Sequence, residues 1–421
     1  MRVLFTTFAA STHLYGMVPL AWALRAAGHE VCVASRPNLE RDITGAGLTA
    51  VVAGTEIDMA ADAKMLDALP DDGTPYRMGF DLAETRPEKL TLDYVKGALG
   101  LYSNFISEYQ ADQRMLDDVV RFARSWQPDL VIWDALTYVG PVVAKATGAA
   151  HARMLFGQDH FARMRALFHE LRARHPEGPR DDPMGEWLAG RLEQFGQEFD
   201  EETVTGQLTI DPMPSWMRIP VDVPNLPVRF VPHNGPSTIP DWLLEPPERR
   251  RVCMTFGITA RNVEIEGTPI AELLEAVAEL DAEVIATLTE AQLGGAPVPG
   301  NVRVFDFVPL NALLPTCDAV VHHCGATTMG TAITHGVPQL VTPGNLWGEP
   351  ALAGLLESRG AGLTIMPEDL SGETLRTGLA RLLDDPSFKE GAARIQKELL
   401  ATPSPADAVP DLEQLAARRR R

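Results

Sequence analysis

The sequence predicts an α/β protein made of two doubly wound, Rossmann-like domains in tandem. Three observations carry that expectation. Short apolar runs alternate with helix-patterned stretches in the first half, the same alternation restarts in the second half, and a proline-rich passage lies between them. The chain has 421 residues, more than one ordinary core accommodates and suited to two domains of about 200 residues each. Strands that are apolar throughout belong to parallel sheets covered on both faces.

The first half opens with "RVLFTTF" (Arg2 to Phe8), a buried-strand pattern. A loop "AASTHLYG" and a helix "MVPLAWALRAAGHE" follow, and Gly28 stops that helix before the strand "VCVAS". "PDLVIWD" (Pro128 to Asp134) is a further strand, "TYVGPVVAKATG" its helix and "AAHARML" the next strand. Residues 56–118 show no clear period. They are expected to form long loops and short helices at the rim of the sheet, where insertions usually carry binding.

Prolines crowd the stretch from Pro212 to Pro247, and the interdomain connection is expected at residues 231–249. The βα pattern then restarts. "RVCMTFG", "AEVIATL", "VRVFDFVP", "DAVVHH" and "PQLVTP" are strands; "IAELLEAVAEL", "TTMGTAITHG" and "PALAGLLESRGAG" are helices. The expected boundaries are 1–230 and 250–405 for the two domains, with a last helix over 406–421 crossing back to the first domain.

Composition excludes several classes. The formal net charge is −20, which leaves no broad basic face to neutralise nucleic-acid phosphates. Cys32, Cys253, Cys317 and Cys324 have no paired spacing, so reduced, buried thiols are expected, with neither a zinc site nor a disulfide framework. No uninterrupted apolar span has membrane length and the start lacks a signal-peptide layout, so a cytoplasmic protein without membrane insertion is expected.

The stretch "HHCGATTMG" (His322 to Gly330) joins a strand to a helix. Ligands of open parallel sheets collect at such carboxyl ends. Gly325 allows close backbone approach, Thr327 and Thr328 are expected to cap the helix or donate to an anion, and unpaired N–H groups add positive potential. The junction suits a diphosphate, with His323 donating to one phosphate oxygen. A capped helix with packed histidines is the plainer alternative. Other strand ends add to the first reading: Gly257 in "TFGITAR", Phe307 and Val308 before a helix, and Trp347 and Glu349 in "PGNLWGEP". Neither GxxxxGK[ST] nor GxGxxG is present in this half, which argues against ordinary NTPase and dinucleotide sites.

His13 lies in the loop after the first strand, a carboxyl-end position expected to face the interdomain cleft. A hydroxyl is a poor nucleophile until deprotonated, and a neutral histidine is the natural base near pH 7. Asp134, ending "PDLVIWD", is placed to orient it, although it also suits an N-cap role. Trp22, Trp133, His29, His151, His322 and His335 read as structural.

"HCGATT" followed by "THGVPQLVTP" resembles the nucleotide-sugar signature of inverting glycosyltransferases with the GT-B fold. "HLYGMVPLAWALRAAGHEVCVAS" and "RSWQPDLVIWDALTYVGPVVAKATGAAHARML" are similar to actinobacterial transferases that attach deoxysugars to macrolide, anthracycline and related polyketide aglycones. The resemblance implies a dTDP-deoxysugar donor held by the second domain through Thr255, Gly257, Phe307, Val308, His323, Gly325, Ala326, Thr327, Thr328, Trp347, Gly348 and Glu349. It implies a polyketide aglycone held by the first domain and His13 and Asp134 as the catalytic pair; Thr12, Met17, Phe80 and Phe156 are candidate wall residues, the last three being equally explained by ordinary packing. It implies no metal and no cofactor, the dTDP-sugar being a co-substrate. It also implies an activator protein resembling a haem monooxygenase, whose contact is expected on residues 56–118.

Two departures stand out. Cys324 replaces the first of two glycines common after the paired histidines. Gly348 and Glu349 replace an Asp-Gln pair that binds sugar hydroxyls in relatives using fully hydroxylated sugars. Gly348 has no side chain to bind a hydroxyl, which suits a donor with fewer hydroxyls, and Glu349 suits an amino group. A nucleotide-sugar epimerase and a non-catalytic nucleotide-sugar-binding subunit are the alternatives, and neither has a use for a His–Asp pair in the first domain.

Overall fold

The computed structural model describes residues 1–58, 80–178, 180–255, 270–344 and 347–419. The chain forms two compact units, Met1–Arg229 together with Pro403–Arg421, and Phe230–Thr402.

The first unit is built on a parallel sheet of β1 (Arg2–Thr6), β2 (Glu30–Ser35), β3 (Thr49–Val52), β4 (Leu130–Asp134), β5 (Ala150–Met154), β6 (Thr209–Asp211) and β7 (Asn225–Pro227). Their order is β3-β2-β1-β4-β5-β6-β7. The strand order therefore reverses between β1 and β4, which pair in parallel with Thr6 opposite Trp133. Every residue of β4 is buried, as a central strand covered on both faces requires. One apolar layer packs the helix Ser11–Ala26 through Leu14, Val18 and Leu24 on Val3 and Phe5. A second layer, on the opposite face, sets Leu116, Val119 and Val142 against Leu4 and Val131.

The last helix, Val409–Arg419, belongs to this unit. Val409, Leu412 and Ala416 are buried in the first apolar layer. His29 Nε2 lies 3.0 Å from Glu413 Oε1, and the Arg229 N–H donates to the Pro403 carbonyl.

The second unit repeats the architecture with β8 (Arg251–Thr255), β9 (Glu283–Thr287), β10 (Val302–Phe305), β11 (Ala319–His322), β12 (Gln339–Val341) and β13 (Gly362–Thr364). The order is β10-β9-β8-β11-β12-β13, again all parallel. Here the reversal falls between β8 and β11. Residues 230–249 pack on this unit: the Trp242 ring stacks on Phe305 at 5.0 Å, Leu243 is buried, and Asn234 Oδ1 accepts from the Asn311 N–H.

Several expectations change. The first long helix starts at Ser11 rather than at Met17, so His13 sits in a helix turn and not in a loop. β3, β6, β7 and β13 were not expected; they are short, β7 ends in a proline that an edge position tolerates, and β13 starts at Gly362, where the helix "PALAGLLESRGAG" was expected to run on. Residues 92–110 are helical, including a π-helical turn over Tyr102–Ser107. Trp22 is not core: it is 43% exposed, with Arg25 over its ring. Among the described residues no helix is long and apolar enough to cross a membrane.

Candidate active site

Each reversal of strand order opens a crevice at the carboxyl ends of the strands, the usual ligand position in such sheets. In the first unit, β1 leads into the helix carrying His13, and β4 ends in Asp134. His13 Nδ1 lies 2.7 Å from Asp134 Oδ2. The Asp134 side chain is almost fully buried. Its other oxygen, Oδ1, accepts from the Leu136 N–H at 2.9 Å. Asp134 is not a helix N-cap: the following helix starts at Val139 behind Tyr138, and no side chain caps it. The carboxylate is instead pinned by a turn N–H on one oxygen and offers the other to His13.

The imidazole is held on its faces as well. Phe8 packs at 4.6 Å and Phe156 at 4.5 Å between ring centroids. With Nδ1 engaged by a carboxylate, the tautomer with hydrogen on Nδ1 is favoured and Nε2 is left with its lone pair. That arrangement matches what a general base needs: a fixed ring, a fixed tautomer and a free basic nitrogen.

Of the expected acceptor-wall residues, Phe156 touches His13 and Thr12 precedes it on the same helix turn. Met17 does not belong to a wall. It is 3% exposed and packs in the apolar layer beneath β1, because it lies on the helix face turned to the sheet. Phe80 lines a separate groove of about 550 Å³ with Leu101, Phe105 and Pro183; His13 is not among its lining residues.

In the second unit, β11 ends at His322 and the helix Ala326–His335 begins after Gly325. The buried His322 bonds through Nε2 to Gln339 Oε1 and through Nδ1 accepts the Cys324 N–H. Burial pushes its pKa down to about 3, so it is a neutral strut that shapes the turn. Cys324 adopts φ +70, a left-handed conformation that glycine takes at no steric cost. His323 folds its ring over Gly325: a Cβ there would lie 2.6 Å from His323 Nε2. His323 Nδ1 is buried with no hydrogen-bond partner among the described residues, and burial holds the ring neutral, its pKa pushed down to about 4.

Thr327 and Thr328 do not cap this helix. Gly325 is the N-cap, without a side-chain bond, so the first-turn N–H groups are not satisfied by a side chain. An uncapped helix start beside an orphaned imidazole nitrogen is suited to an anion. Thr255, ending β8 on the other side of the reversal, accepts from the Thr287 hydroxyl at 2.7 Å. Val308 is buried in an apolar cluster while Phe307 is 43% exposed, so only the Phe307 ring is available to stack on a base. Gly257 lies outside the described residues.

Trp347 and Gly348 take consecutive left-handed conformations, φ +51 and +71, before the helix Glu349–Ser358. Glu349 Oε2 accepts the Gly344 N–H at 2.8 Å. Its carbonyl accepts the Cys324 thiol at 3.4 Å, which ties this tip to the His323 turn. Burial, partly offset by the Gly344 N–H, pushes the Glu349 carboxyl up to about 7. Sequence reasoning missed Phe8, Leu136 and Gly344, which act through backbone groups or ring packing.

Tandem doubly wound sheets with these strand orders form the GT-B architecture, and the protein is a glycosyltransferase of that class. The solved structure of the glycosyltransferase VinC in complex with dTDP is similar over 99% of this chain and 100% of VinC, with a TM-score of 0.91 and 46% identity. The chain belongs to the erythromycin biosynthesis protein CIII-like family, whose N-terminal domain matches residues 22–257 and C-terminal domain residues 271–415. It is 51% identical to the aclacinomycin-T 2-deoxy-L-fucose transferase of Streptomyces galilaeus, over 100% of this chain and 97% of that protein. It is 46% identical to the 10-deoxymethynolide desosaminyltransferase of Streptomyces venezuelae, over 100% and 98% respectively.

Proposed function

We propose that this glycosyltransferase moves a deoxysugar from a dTDP donor to a hydroxyl of a polyketide aglycone, with inversion at the anomeric carbon, in antibiotic biosynthesis. The observation that carries the reading is the 2.7 Å bond between His13 Nδ1 and Asp134 Oδ2, which leaves Nε2 as a base. His13 takes the hydroxyl proton on Nε2. The oxygen forms a bond to the anomeric carbon from the face opposite the diphosphate. The anomeric C–O bond breaks and its electron pair leaves with dTDP. The Asp134 carboxylate stabilises the imidazolium that results.

In this reading the leaving diphosphate is held by the helix start after Gly325 and by His323, which supply the charge stabilisation without a metal or cofactor. Thr255, Ala326, Thr327 and Thr328 line the same strand ends, and Trp347, Gly348 and Glu349 meet the sugar. Thr12 and Phe156 are the acceptor contacts nearest the base. The reading places the reaction in the cytoplasm. It also includes a protein activator resembling a haem monooxygenase, supported by the family resemblance.

The test is single-turnover transfer from a panel of dTDP-deoxysugars to macrolide and anthracycline aglycones, with and without a candidate activator, read by mass. A gain of one deoxysugar residue on an aglycone is the expected result. Donor turned over to free or isomerised sugar, with no aglycone product in any combination, would overturn it.

A further inference from the structure

We propose that Arg153 is a positioning residue for the base: through Asp159 it fixes the loop that seats Phe156 on the His13 ring. The inference rests on the glycosyltransfer reading in which His13 is the base, and adds to it a residue that acts through others.

The arrangement starts in β5. Ala150, Ala152 and Met154 lie in the first apolar layer. Arg153 alternates with them, so it lies on the opposite face of the sheet, and it is fully buried. Its Nη2 donates to Asp159 Oδ2 and, at 3.1 Å, to the Thr209 hydroxyl of β6. Asp159 is buried too. Its other oxygen caps the helix His160–Arg174 by accepting the Ala162 N–H at 3.0 Å. The guanidinium therefore ties a strand end to the start of the next helix, and residues 155–158 form the loop between them. The Leu155 N–H donates to the Ile210 carbonyl at 3.0 Å, and Gln158 Nε2 to the Met217 carbonyl at 2.6 Å. Phe156, inside this pinned loop, packs on His13. Asp134 stands opposite Met154 in register. Neighbouring strands thus deliver the carboxylate and the phenyl ring to one imidazole.

The energetics single out Arg153. Taking both ions of a pair out of water costs about as much as their attraction returns, and an apolar pair of similar volume often packs as well or better. Arg153 Nε and Nη1 are also buried without a hydrogen-bond partner among the described residues, which adds a desolvation cost. The neighbouring chain is shaped around the residue: Gly206 has φ +79, and a Cβ there would lie 2.9 Å from the Arg153 amide nitrogen. What the pair supplies beyond apolar packing is direction. A planar guanidinium fixes where the carboxylate stands, hence where the helix begins and how the loop closes. Misplacement by about 1 Å near a reacting centre costs up to about 10²-fold in rate, so direction matters at this loop.

The experiment compares the full chain as wild type, Phe156→Ala, Arg153→Lys and the double variant Arg153→Met/Asp159→Asn. The double variant removes both charges together and keeps a capping side chain at position 159, so no unpaired buried ion remains. The histidines are isotope-labelled, and the His13 ring-proton signals are assigned by their loss in His13→Ala. Those signals report the ring currents of Phe8 and Phe156. Melting, dTDP binding, kcat and acceptor KM are measured alongside.

The double variant should move the His13 signals to their position in Phe156→Ala. It should lose about 10- to 100-fold in kcat, with acceptor KM, dTDP affinity and melting temperature little changed. Arg153→Lys keeps the charge but not the fork, and should give intermediate signals and rate. His13 signals at their wild-type position in the double variant overturn the proposal, as does a wild-type kcat in Phe156→Ala. If the double variant does not fold, Arg153→Lys decides, and wild-type signals there overturn the proposal equally. No transfer by the wild type to any aglycone removes the glycosyltransfer reading and the rate consequence with it, while the ring signals still decide whether Arg153 seats Phe156.

Discussion

His13 Nδ1 and Asp134 Oδ2 are 2.7 Å apart although 121 residues separate them in the chain. The register of β1 on β4 brings them together: Thr6 stands opposite Trp133, so the strand ending in Asp134 finishes level with the start of the His13 helix. The aspartate is locked first, by the Leu136 N–H, and then locks the ring.

This pairing predicts a graded loss of activity. His13→Ala should abolish measurable transfer, a loss of at least about 10²- to 10⁴-fold in kcat. Asp134→Asn keeps the shape but favours the other tautomer, and should cost a comparable factor of about 10³–10⁴. Both variants should bind dTDP nearly as the wild type does, measured by calorimetry, because neither residue belongs to the second unit. Full activity in His13→Ala would remove the histidine from the mechanism.

The turn over His323 predicts a site intolerant of a single methyl group. Gly325→Ala puts its Cβ 2.6 Å from His323 Nε2, so the ring must leave its place. The expected effect is a loss of about tenfold or more in dTDP affinity with a small change in melting temperature. His323→Ala should weaken dTDP by a similar factor, about 1–2 kcal/mol for one hydrogen bond to a charged group. Wild-type dTDP affinity in both variants would show that the ring does not meet the diphosphate.

Glu349 predicts a pH-dependent stability with a definite sign. Its folded carboxyl is pushed from 4.5 to about 7, so the folded protein holds a proton that the unfolded chain has already lost. Stability from this group therefore falls as pH rises through that window, and the cost is complete above it. Glu349→Gln should melt higher than the wild type at about pH 8 and equally at about pH 4. The difference, discounted for partial exposure, is on the order of 1–2 kcal/mol. The same gap at both pH values would refute the assignment.

Ending the chain at Thr402 should destabilise the first unit. Val409 and Leu412 are buried in its core, and each contributes about 1.5–3 kcal/mol by leaving water. Thermal melting should show a lower transition for the first unit, while dTDP still raises the melting temperature of the second.

Much of this was legible before any coordinates. The strands β1, β4, β8 and β11 each hold an unbroken run of at least three apolar residues, and such runs announce themselves. Asp134 and His323 are legible because each is a polar residue at the end of such a run, and His13 because it lies in the segment that follows β1. What was hidden depends on partners distant in sequence or on the backbone. Met17 and Trp22 share one helix, yet Met17 faces the sheet and Trp22 faces solvent, a distinction that needs the helix phase. The start of that helix was misplaced because Ala10 caps it without a side-chain bond, leaving no capping residue to read. The threonines after Gly325 carry the right chemistry for caps, but the helix begins at Ala326, before both, so neither acts as its N-cap.

The first unit is discontinuous in sequence: Pro403–Arg421 completes it only after Phe230–Thr402 has been made. During vectorial synthesis the β1–β7 sheet therefore leaves the ribosome with β5, including Met154, lacking the cover that the helix carrying Val409, Leu412 and Ala416 later provides. The second unit, continuous along the chain, has all its strands available before that cover arrives. The first unit begins first and is finished last, and until the helix Val409–Arg419 docks, its unsealed apolar face is the surface a chaperone would find.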